Sequence, residues 1–369
     1  MDSITAKIYE AHAAEWTAAR RPRAIEDGRL AAFARRLRRK GRVADLGCGP
    51  GWYAEHLNAL GFRAVALDAS PAMLAEAGCR APAMARVCAD LLAPPFADRS
   101  LDGAWASACY QHLPRRDLPL ALARLQLALR PGAPIELTLA DLAQQPTTAA
   151  ARARGETDRR LHDDAFAGRL FAFHSAERAR ALLTGAGFDR ISIEPLRNTF
   201  WLRIRARRGR TLPDFVRPRL RLLVCGLNPS LYSAERGIPF ARPGNRFWPA
   251  MRAARLIVHE RDPLDALRRG IGMTDLVKRA TVSASEIGRA EYRAGVVRIE
   301  SLVRIYRPRA LCFVGLDGWR AAVDRNAQSG WLRGGFGGCP AYLMPSTSGR
   351  NANARLNDLV RHLRRAARC

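Results

Sequence analysis

The sequence contains no uninterrupted apolar run of about 18 residues or more, and it therefore offers no candidate for a membrane-spanning helix. Its eight cysteines form no Cys-x-x-Cys pair and mostly lie within apolar stretches, which argues against a zinc finger and against a disulfide framework. The first residues are amphipathic and charged, so a secretory signal is not expected either. These absences predict a cytoplasmic protein without a membrane partner or a bound metal.

Lysine is also scarce, and the net charge of +27 is carried almost entirely by arginine. Residues 1–205 contain 30 basic and 22 acidic residues, whereas residues 206–369 contain 31 and 12, which gives net charges of +8 and +19. So strong a positive field attracts polyanions, and each neutralised phosphate releases counterions. An arginine-rich gene composition is the alternative explanation, but it accounts less well for the scarcity of acidic residues in the second part.

Two domains are expected from the length and from the order of the predicted elements. Residues 42–205 alternate between strands and helices, which is typical of a parallel sheet covered on both faces. A second strand–helix pattern follows a polar, proline-punctuated segment, and 369 residues suffice for two domains of ordinary size. We therefore predict one α/β domain over residues 1–205, a linker over residues 206–218 and a second α/β domain over residues 219–369.

A glycine-rich turn, DLGCGPG at residues 45–51, joins the first predicted strand to a helix. Asp68 ends the second strand and Asp90 follows the third. Glycines let backbone N–H groups approach a ligand, and a carboxylate after the second strand can accept both hydroxyls of a ribose. The order differs from the Gly-x-Gly-x-x-Gly of dinucleotide-binding turns. A turn that only packs a helix on a strand is the other alternative.

This pattern resembles the class I S-adenosylmethionine-dependent methyltransferases over about residues 1–205. The resemblance implies a Rossmann-like, seven-stranded sheet and S-adenosylmethionine as cofactor. It assigns the glycine turn to the methionine part, Asp68 to the ribose and Asp90 with Leu91 to the adenine. The cofactor-binding residues implied in this way are Asp45, Gly47, Gly49, Gly51, Asp68, Asp90 and Leu91.

The methyl acceptor is harder to predict from the sequence. A sulfonium is already a good electrophile, so the enzyme mainly aligns the reacting atoms and needs few catalytic side chains that a sequence would reveal. Tyr110, Gln111 and His112 follow the fourth strand, where substrate-facing residues lie in these folds. Tyr110 and His112 are therefore candidates for the acceptor side, with a structural role as the alternative for His112. Neither Asn-Pro-Pro-Tyr nor Pro-Cys follows this strand, so the acceptor stays unknown, with a small molecule favoured over a nucleic-acid base.

Two loops in the second domain each follow a predicted strand. The first is VCGLNPSLYSAERGIPFARPGNRFW at residues 224–248, and the second is LMPSTSGRN at residues 343–351. The carboxyl ends of strands form the usual ligand crevice of open α/β sheets. Cleavage of an N-glycosidic bond passes through an oxocarbenium-like sugar, so the enzyme must hold a water molecule beneath C1′. The carboxamide of Asn228, fixed by Pro229, can orient such a water but cannot take its full charge.

The two loops resemble those of the mismatch-specific uracil/thymine-DNA glycosylases, over about residues 211–369. The resemblance implies a smaller parallel α/β sheet, double-stranded DNA with a G·U or G·T mismatch as substrate, and no cofactor. It makes Asn228 the catalytic residue, and it implies that Phe240 stacks on a flipped base and that Arg350 fills the gap left in the duplex. The implied base pocket comprises Leu231, Ser233, Phe240 and Asn245. The implied DNA insertion loop comprises Ser346, Thr347, Ser348, Gly349 and Arg350.

Two departures from that family bear on the substrate. Ser230 replaces the glycine after Asn-Pro and adds a side chain where the backbone meets the base, which bears on pocket size and substrate preference. The second loop has no histidine to stabilise the leaving base, which predicts slow turnover that favours bases leaving as stable anions. Asn228 as a turn cap and Arg350 as a surface arginine are the alternatives for single residues. For the whole chain, the alternatives are a methyltransferase joined to an inert DNA-binding module, a first domain that only binds cofactor, and two unrelated enzymes in one reading frame.

Overall fold

The computed structural model describes residues 2–144, 158–161 and 166–368. The chain divides into two compact units. Unit 1 comprises Met1–Thr184 and Phe188–Gly209, and unit 2 comprises Gly185–Gly187 and Arg210–Cys369. Among the helices in the described part of the chain, none is long and apolar enough to cross a membrane.

Unit 1 opens with four short helices and continues with alternating strands and helices. Helices in this part of the chain are α1 (Ser3–Ala11), α2 (Ala13–Ala19), α3 (Arg23–Glu26), α4 (Arg29–Ala34), α5 (Trp52–Ala59), α6 (Pro71–Arg80), α7 (Leu118–Ala128) and α8 (Ala176–Gly185). Its strands are β1 (Arg42–Leu46), β2 (Arg63–Asp68), β3 (Ala85–Cys88), β4 (Gly103–Ala106), β5 (Pro134–Asp141), β6 (Asp158–Leu161), β7 (Arg169–His174), β8 (Phe188–Pro195) and β9 (Trp201–Arg208). Two described 3-10 turns cover Tyr110–His112 and Leu142–Gln144.

The sheet of unit 1 has nine strands, because it forks at β5. A seven-stranded path runs β3-β2-β1-β4-β5-β9-β8, in which the first five strands are parallel and β9 is antiparallel to both of its neighbours. The last two residues of β5 also pair with β7, which pairs in turn with β6. The predicted α/β fold is confirmed, and the hairpin of β6 and β7 is an addition that sequence patterning missed.

The first core of unit 1 lies between the amino-terminal helices and the sheet. Phe33 of α4 packs against Trp105 of β4 with ring centroids 5.5 Å apart, and Tyr53 of α5 contacts the same indole at 5.5 Å. Strands β4 and β5 are buried along their whole length, as expected for central strands with both faces covered. This packing fixes the carboxyl ends of β1 and β4, from which the glycine turn and the Tyr110–His112 turn emerge.

Unit 2 repeats the strand–helix alternation on a smaller scale. Its helices are α9 (Leu231–Arg236), α10 (Phe247–Ala253), α11 (Pro263–Arg268), α12 (Arg289–Tyr306), α13 (Asp317–Ala322) and α14 (Leu356–Ala366), with a 3-10 turn at Ala284–Glu286. Its strands are β10 (Leu222–Gly226), β11 (Ile271–Asp275), β12 (Leu311–Val314), β13 (Gly330–Trp331) and β14 (Ala341–Met344).

The second sheet has the order β11-β10-β12-β14-β13. Strands β10, β11, β12 and β14 are parallel and fully buried, and only the two-residue β13 is antiparallel. Parallel strands end at the same edge, so the loops after β10, β11 and β14 meet there. Strand β11 was not predicted, although its carboxyl end contributes to that edge.

Residues 206–218, expected as a polar linker, are mostly built into the two units. Strand β9 runs to Arg208, and Leu212, Phe215 and Val216 are buried. Phe215 also exchanges backbone hydrogen bonds with Met273 of β11, at 2.8 and 3.0 Å. The charges and prolines of this segment predicted exposure, but its apolar residues alternate with them and pack inward.

Candidate functional site

The glycine turn after β1 has a backbone that side chains would obstruct. Gly47, Gly49 and Gly51 all have positive φ, at +61°, +52° and +78°. A Cβ on Gly47 would lie 2.2 Å from Cβ of Cys109, and one on Gly51 would lie 2.6 Å from Cε of Met84. The turn thus needs glycine both for its dihedral angles and for its close packing.

Two carboxylates hold this turn in place. Asp68 accepts hydrogen bonds from the backbone N–H groups of Gly49 at 2.9 Å and Ser70 at 3.0 Å. Asp45 is buried and accepts from Ala54 N at 3.1 Å, while its Oδ1 has no partner among the described residues. Burial raises the pKa of Asp45 to about 7 and also raises the pKa of Asp68. A buried acidic site of this kind favours a cationic ligand.

Helix α1 approaches the same carboxylates, which the sequence did not predict. Glu10 accepts hydrogen bonds from Ser70 Oγ at 2.6 Å and from Ala72 N at 3.0 Å, at the start of α6. The charge of Glu10 adds to the burial that raises the pKa of Asp68. On the other side of β2, Asp90 accepts from Leu92 N at 2.9 Å, next to the buried Leu91.

The turn after β4 is buried in unit 1. Nδ1 of His112 donates to the carbonyl oxygen of Leu170 at 2.7 Å, so Nε2 accepts from the Tyr9 hydroxyl and from the Gln111 amide, each at 2.9 Å. Both ring nitrogens are thereby engaged, which favours the structural alternative for His112 over a role as base. Tyr110 is also buried, which raises the pKa of its phenol well above the usual range.

In unit 2, the amide of Asn228 is fixed by three acceptors. Nδ2 donates to the carbonyl oxygens of Pro229 at 3.1 Å and Arg279 at 3.0 Å, and to Thr281 Oγ1 at 2.8 Å. The two loops that supply these groups are joined by backbone bonds, including Val277 N to Leu227 O at 2.9 Å. With Nδ2 committed in this way, Oδ1 is the end of the amide left to accept a hydrogen bond from water, since no described residue donates to it.

Ser230 is turned toward helix α9. Its hydroxyl accepts from Ser233 N at 3.1 Å as an N-cap and lies 3.1 Å from Ser233 Oγ, which accepts from Ala241 N at 3.1 Å. Ser230 therefore stabilises the pocket loop through its hydroxyl. The Leu231 amide donates to Thr281 O at 3.2 Å, which joins the start of α9 to the Thr281 loop.

The aromatic side of the pocket consists of two stacked rings. Phe240 lies 4.0 Å from Phe247, centroid to centroid, with 22° between the rings, and it has a positive φ of +54°. A Cβ on Gly226 would lie 3.2 Å from Cζ of Phe240, so the glycine that ends β10 makes room for this ring. Asn245 Oδ1 accepts from Phe247 N at 2.9 Å, which commits that oxygen to the start of α10.

Asp275, at the carboxyl end of β11, lies beside Phe240 and was missed by sequence reasoning. Its Oδ1 would lie 2.6 Å from a Cβ on Gly226, next to the Phe240 ring. Burial raises the pKa of Asp275 to about 6, with Lys278 opposing that rise. The signal was present as a lone acid after a short apolar run, but the run contains glycine and threonine and was not identified as a strand.

The side chain of Lys278 is 11% exposed and pairs with the buried carboxylate of Asp214. Its Nζ donates to Asp214 Oδ1 at 2.9 Å, and Arg298 Nη1 donates to Asp214 Oδ2 at 2.8 Å. Thr274 Oγ1 also donates to Asp214, at 2.6 Å. Although burial alone would raise it, Arg298 and Lys278 hold the pKa of Asp214 below its usual range. These residues stabilise the loop that holds Asn228.

The second loop, after β14, lies against the first. Thr347 is buried, and its carbonyl oxygen accepts from Arg246 N at 2.9 Å. A Cβ on Gly349 would lie 2.8 Å from the carbonyl oxygen of Gly244, which shows how closely the loops approach. Ser346 Oγ accepts from Ser348 N at 3.2 Å, and Arg350, whose amide donates to Ser348 Oγ at 3.3 Å, is exposed.

Comparison with known proteins assigns a family to part of each unit. Residues 43–132 match the family model described as a methyltransferase domain, and residues 213–367 match the one described as the uracil DNA glycosylase superfamily. At this level of detail the two resemblances noted in the sequence are confirmed. Asn228, Asp275 and the second loop all lie within the second match.

Solved structures with a similar fold include methyltransferases from several organisms. One from Methanosarcina mazei is 18% identical and covers 48% of this chain and 97% of its own, with a TM-score of 0.42. One from Mesorhizobium loti is 19% identical and covers 49% of this chain and 96% of its own, with a TM-score of 0.40. The Burkholderia thailandensis 1,6-didemethyltoxoflavin-N1-methyltransferase is 18% identical, with coverages of 56% and 88% and a TM-score of 0.41.

The order of the two matches agrees with the order of the two units. Each match begins at or near the first strand of its sheet, β1 in unit 1 and β10 in unit 2. The chain therefore contains a methyltransferase domain followed by a domain of the uracil DNA glycosylase superfamily.

Proposed function

We propose that unit 2 is a DNA base-excision glycosylase that hydrolyses the N-glycosidic bond of uracil, thymine or a related damaged pyrimidine mispaired with guanine. The observation that carries this proposal is the fixed amide of Asn228, whose Nδ2 donates to Thr281 Oγ1 at 2.8 Å and to two carbonyl oxygens. Its Oδ1 can then hold one water molecule in a set direction. A fixed acceptor orients the nucleophile without having to reorganise during the reaction.

The reaction follows from the chemistry of the pocket. The nucleotide flips out of the duplex, and its base stacks on Phe240, which is backed by Phe247. The C1′–N bond breaks with its electron pair going to the base, and the oriented water adds to C1′ and gives up a proton to solvent, from which the base anion takes one. Protonated Asp275 can donate a hydrogen bond to the departing base anion, because its raised pKa keeps a proton on it at mildly acidic pH. The products are a free base and an abasic site.

Cleavage of defined duplexes tests this proposal. Duplexes carrying uracil, thymine, hypoxanthine or ethenocytosine opposite guanine, and uracil opposite adenine, are incubated with purified protein and treated with alkali to reveal abasic sites. We expect product with uracil opposite guanine and less with thymine. Binding to these duplexes without product at high protein concentration would favour the alternative of a DNA-binding module.

We infer that unit 1 binds S-adenosylmethionine and transfers its methyl group to a small-molecule acceptor. The glycine turn fits such a cofactor, since its backbone conformation and packing exclude side chains and its Gly49 amide is held by Asp68. When bound, the cofactor supplies an electrophilic methyl group on a sulfonium. Asp68 would accept the ribose hydroxyls, Asp90 with Leu91 would lie at the adenine, and the buried Asp45 would favour the positive charge.

Calorimetric titration with S-adenosylmethionine and with its demethylated product tests the cofactor site. Asp68→Ala should weaken the binding of both ligands by about tenfold or more, because its carboxylate contacts the ribose and also fixes the turn. Exposed Asp189→Ala, on β8, is the matched control. Unchanged affinity in Asp68→Ala would refute the ribose contact. Binding without methyl transfer to any acceptor would favour a first domain that only binds cofactor.

A further inference from the structure

Arg246 lies between two pocket residues, Asn245 and Phe247, but its side chain points to the second loop. Nη2 donates to the carbonyl oxygens of Ser348 at 2.9 Å and Asn351 at 2.7 Å, and Nη1 donates to that of Ala354. The backbone amide of Arg246 adds the bond to Thr347. One residue of the first loop thus binds four carbonyl oxygens spread over residues 347–354.

A guanidinium suits this position for a geometric reason. It presents five N–H donors in a rigid plane, whereas an ammonium presents three donors around one atom. The carbonyl oxygens of Ser348, Asn351 and Ala354 belong to a segment outside the described helices and strands, so sheet or helix bonds do not satisfy them. A lysine at this position would reach fewer of them and would hold the loop less firmly.

We propose that Arg246 is a positioning residue that holds the insertion loop, Ser346–Arg350, in the conformation that presents Arg350 to the duplex. The proposal rests on the glycosylase function proposed for unit 2. Arg246 is the chain neighbour of Phe247, which stacks on Phe240, and its guanidinium is hydrogen-bonded to the insertion loop. It therefore connects the base pocket to the insertion loop. Its loss should therefore impair extrusion of a paired base more than cleavage of a base that is already unpaired.

Single-turnover cleavage of uracil in a G·U duplex and in a single strand tests this role. Arg246→Met and the conservative Arg246→Lys are compared with Arg252→Met, a matched control on the exposed side of α10. We expect Arg246→Met to lose about tenfold or more on the duplex and less than about threefold on the single strand, with Arg246→Lys in between and the control unchanged. Equal losses on both substrates would overturn the proposal.

A double variant tests independently whether Arg246 and Arg350 act together. If Arg246 acts through the presentation of Arg350, then Arg350→Ala should cost little further duplex activity in the Arg246→Met background. Additive losses would contradict this coupling.

Circular dichroism and urea unfolding check that the variants fold, and Arg246→Lys replaces Arg246→Met if the latter does not. A wild-type protein that cleaves neither substrate would defeat the proposed glycosylase function and this inference with it, whereas wild-type cleavage with unaffected Arg246 variants would defeat the inference alone.

Discussion

Of the three hydrogen bonds that the Asn228 amide donates, the one to the Thr281 hydroxyl is the shortest, with 2.8 Å between Nδ2 and Oγ1. Thr281→Val removes that acceptor while keeping the shape of the side chain, so the amide keeps only its carbonyl partners and its Oδ1 is held less firmly. We expect single-turnover cleavage to fall by roughly tenfold, in line with the loss of one hydrogen bond to a positioned group. Thr281→Ser should retain most of the rate, and DNA affinity should be unchanged in both. A cleavage rate in Thr281→Val equal to that of the wild type would show that Thr281 does not position the Asn228 amide.

Asp275 makes cleavage depend on pH. Burial raises its pKa to about 6, so the carboxyl is mostly protonated below pH 6 and mostly ionised above it. An ionised carboxylate would repel the departing base anion, so single-turnover cleavage should be faster at about pH 5.5 than at about pH 7.5, by roughly tenfold. Asp275→Asn cannot ionise and should flatten this part of the profile. A profile that rises with pH in the wild type would contradict the account.

The candidate site residues predicted from the sequence lie in contiguous motifs, whereas those that the structure adds depend on tertiary contacts. The Asn228 segment and the glycine turn are recognisable because glycine and proline dictate their backbone locally. Thr281 and Arg246 act through hydrogen bonds to groups 53 and 102 residues away in sequence, which no local pattern reveals. The Leu231 amide is likewise held by a group distant in sequence, because its acceptor, Thr281 O, lies in another loop.

At the level of elements, the insertion loop lacks a histidine that could stabilise the leaving base. Cleavage should then depend strongly on how stable the base anion is. We expect 5-fluorouracil opposite guanine to be released on the order of tenfold faster than uracil, since the fluorine lowers the basicity of the departing anion. Single-turnover rates measured at saturating protein make chemistry rather than product release the observed step. Equal rates under those conditions would contradict the expected dependence of cleavage on the stability of the base anion.

The strands of unit 2 with continuous apolar runs were predicted from sequence. β10, β12 and β14 are buried on both faces, so nothing in their composition competes with the strand pattern. β11, with the sequence IGMTD, mixes glycine, threonine and aspartate because it carries pocket and ion-cluster residues. The segment around Asp214 was taken for a linker for a related reason, because its buried carboxylate pairs with Lys278 and Arg298, which are distant in sequence.

At the level of the whole molecule, the net charge of +19 over residues 206–369 predicts steep salt dependence of DNA binding. If about six phosphates are neutralised, affinity should fall on the order of a thousandfold between about 50 and 200 mM salt. If the Arg350 side chain contacts a DNA phosphate, Arg350→Ala should reduce the slope of log affinity against log salt concentration by about one. Fluorescence anisotropy with a labelled G·U duplex measures both. Affinity that is insensitive to salt would mean that the arginines of this unit do not face the DNA.

The measurement that tests the account most directly is abasic-site formation in a G·U duplex by the wild-type protein and by Asn228→Ala, with duplex affinity measured in parallel. We expect the substitution to reduce cleavage by about a thousandfold or more, because Asn228 is the residue proposed to hold the attacking water, while affinity stays within about threefold of the wild type. Cleavage that survives the substitution, or losses of cleavage and affinity by the same factor, would contradict the account.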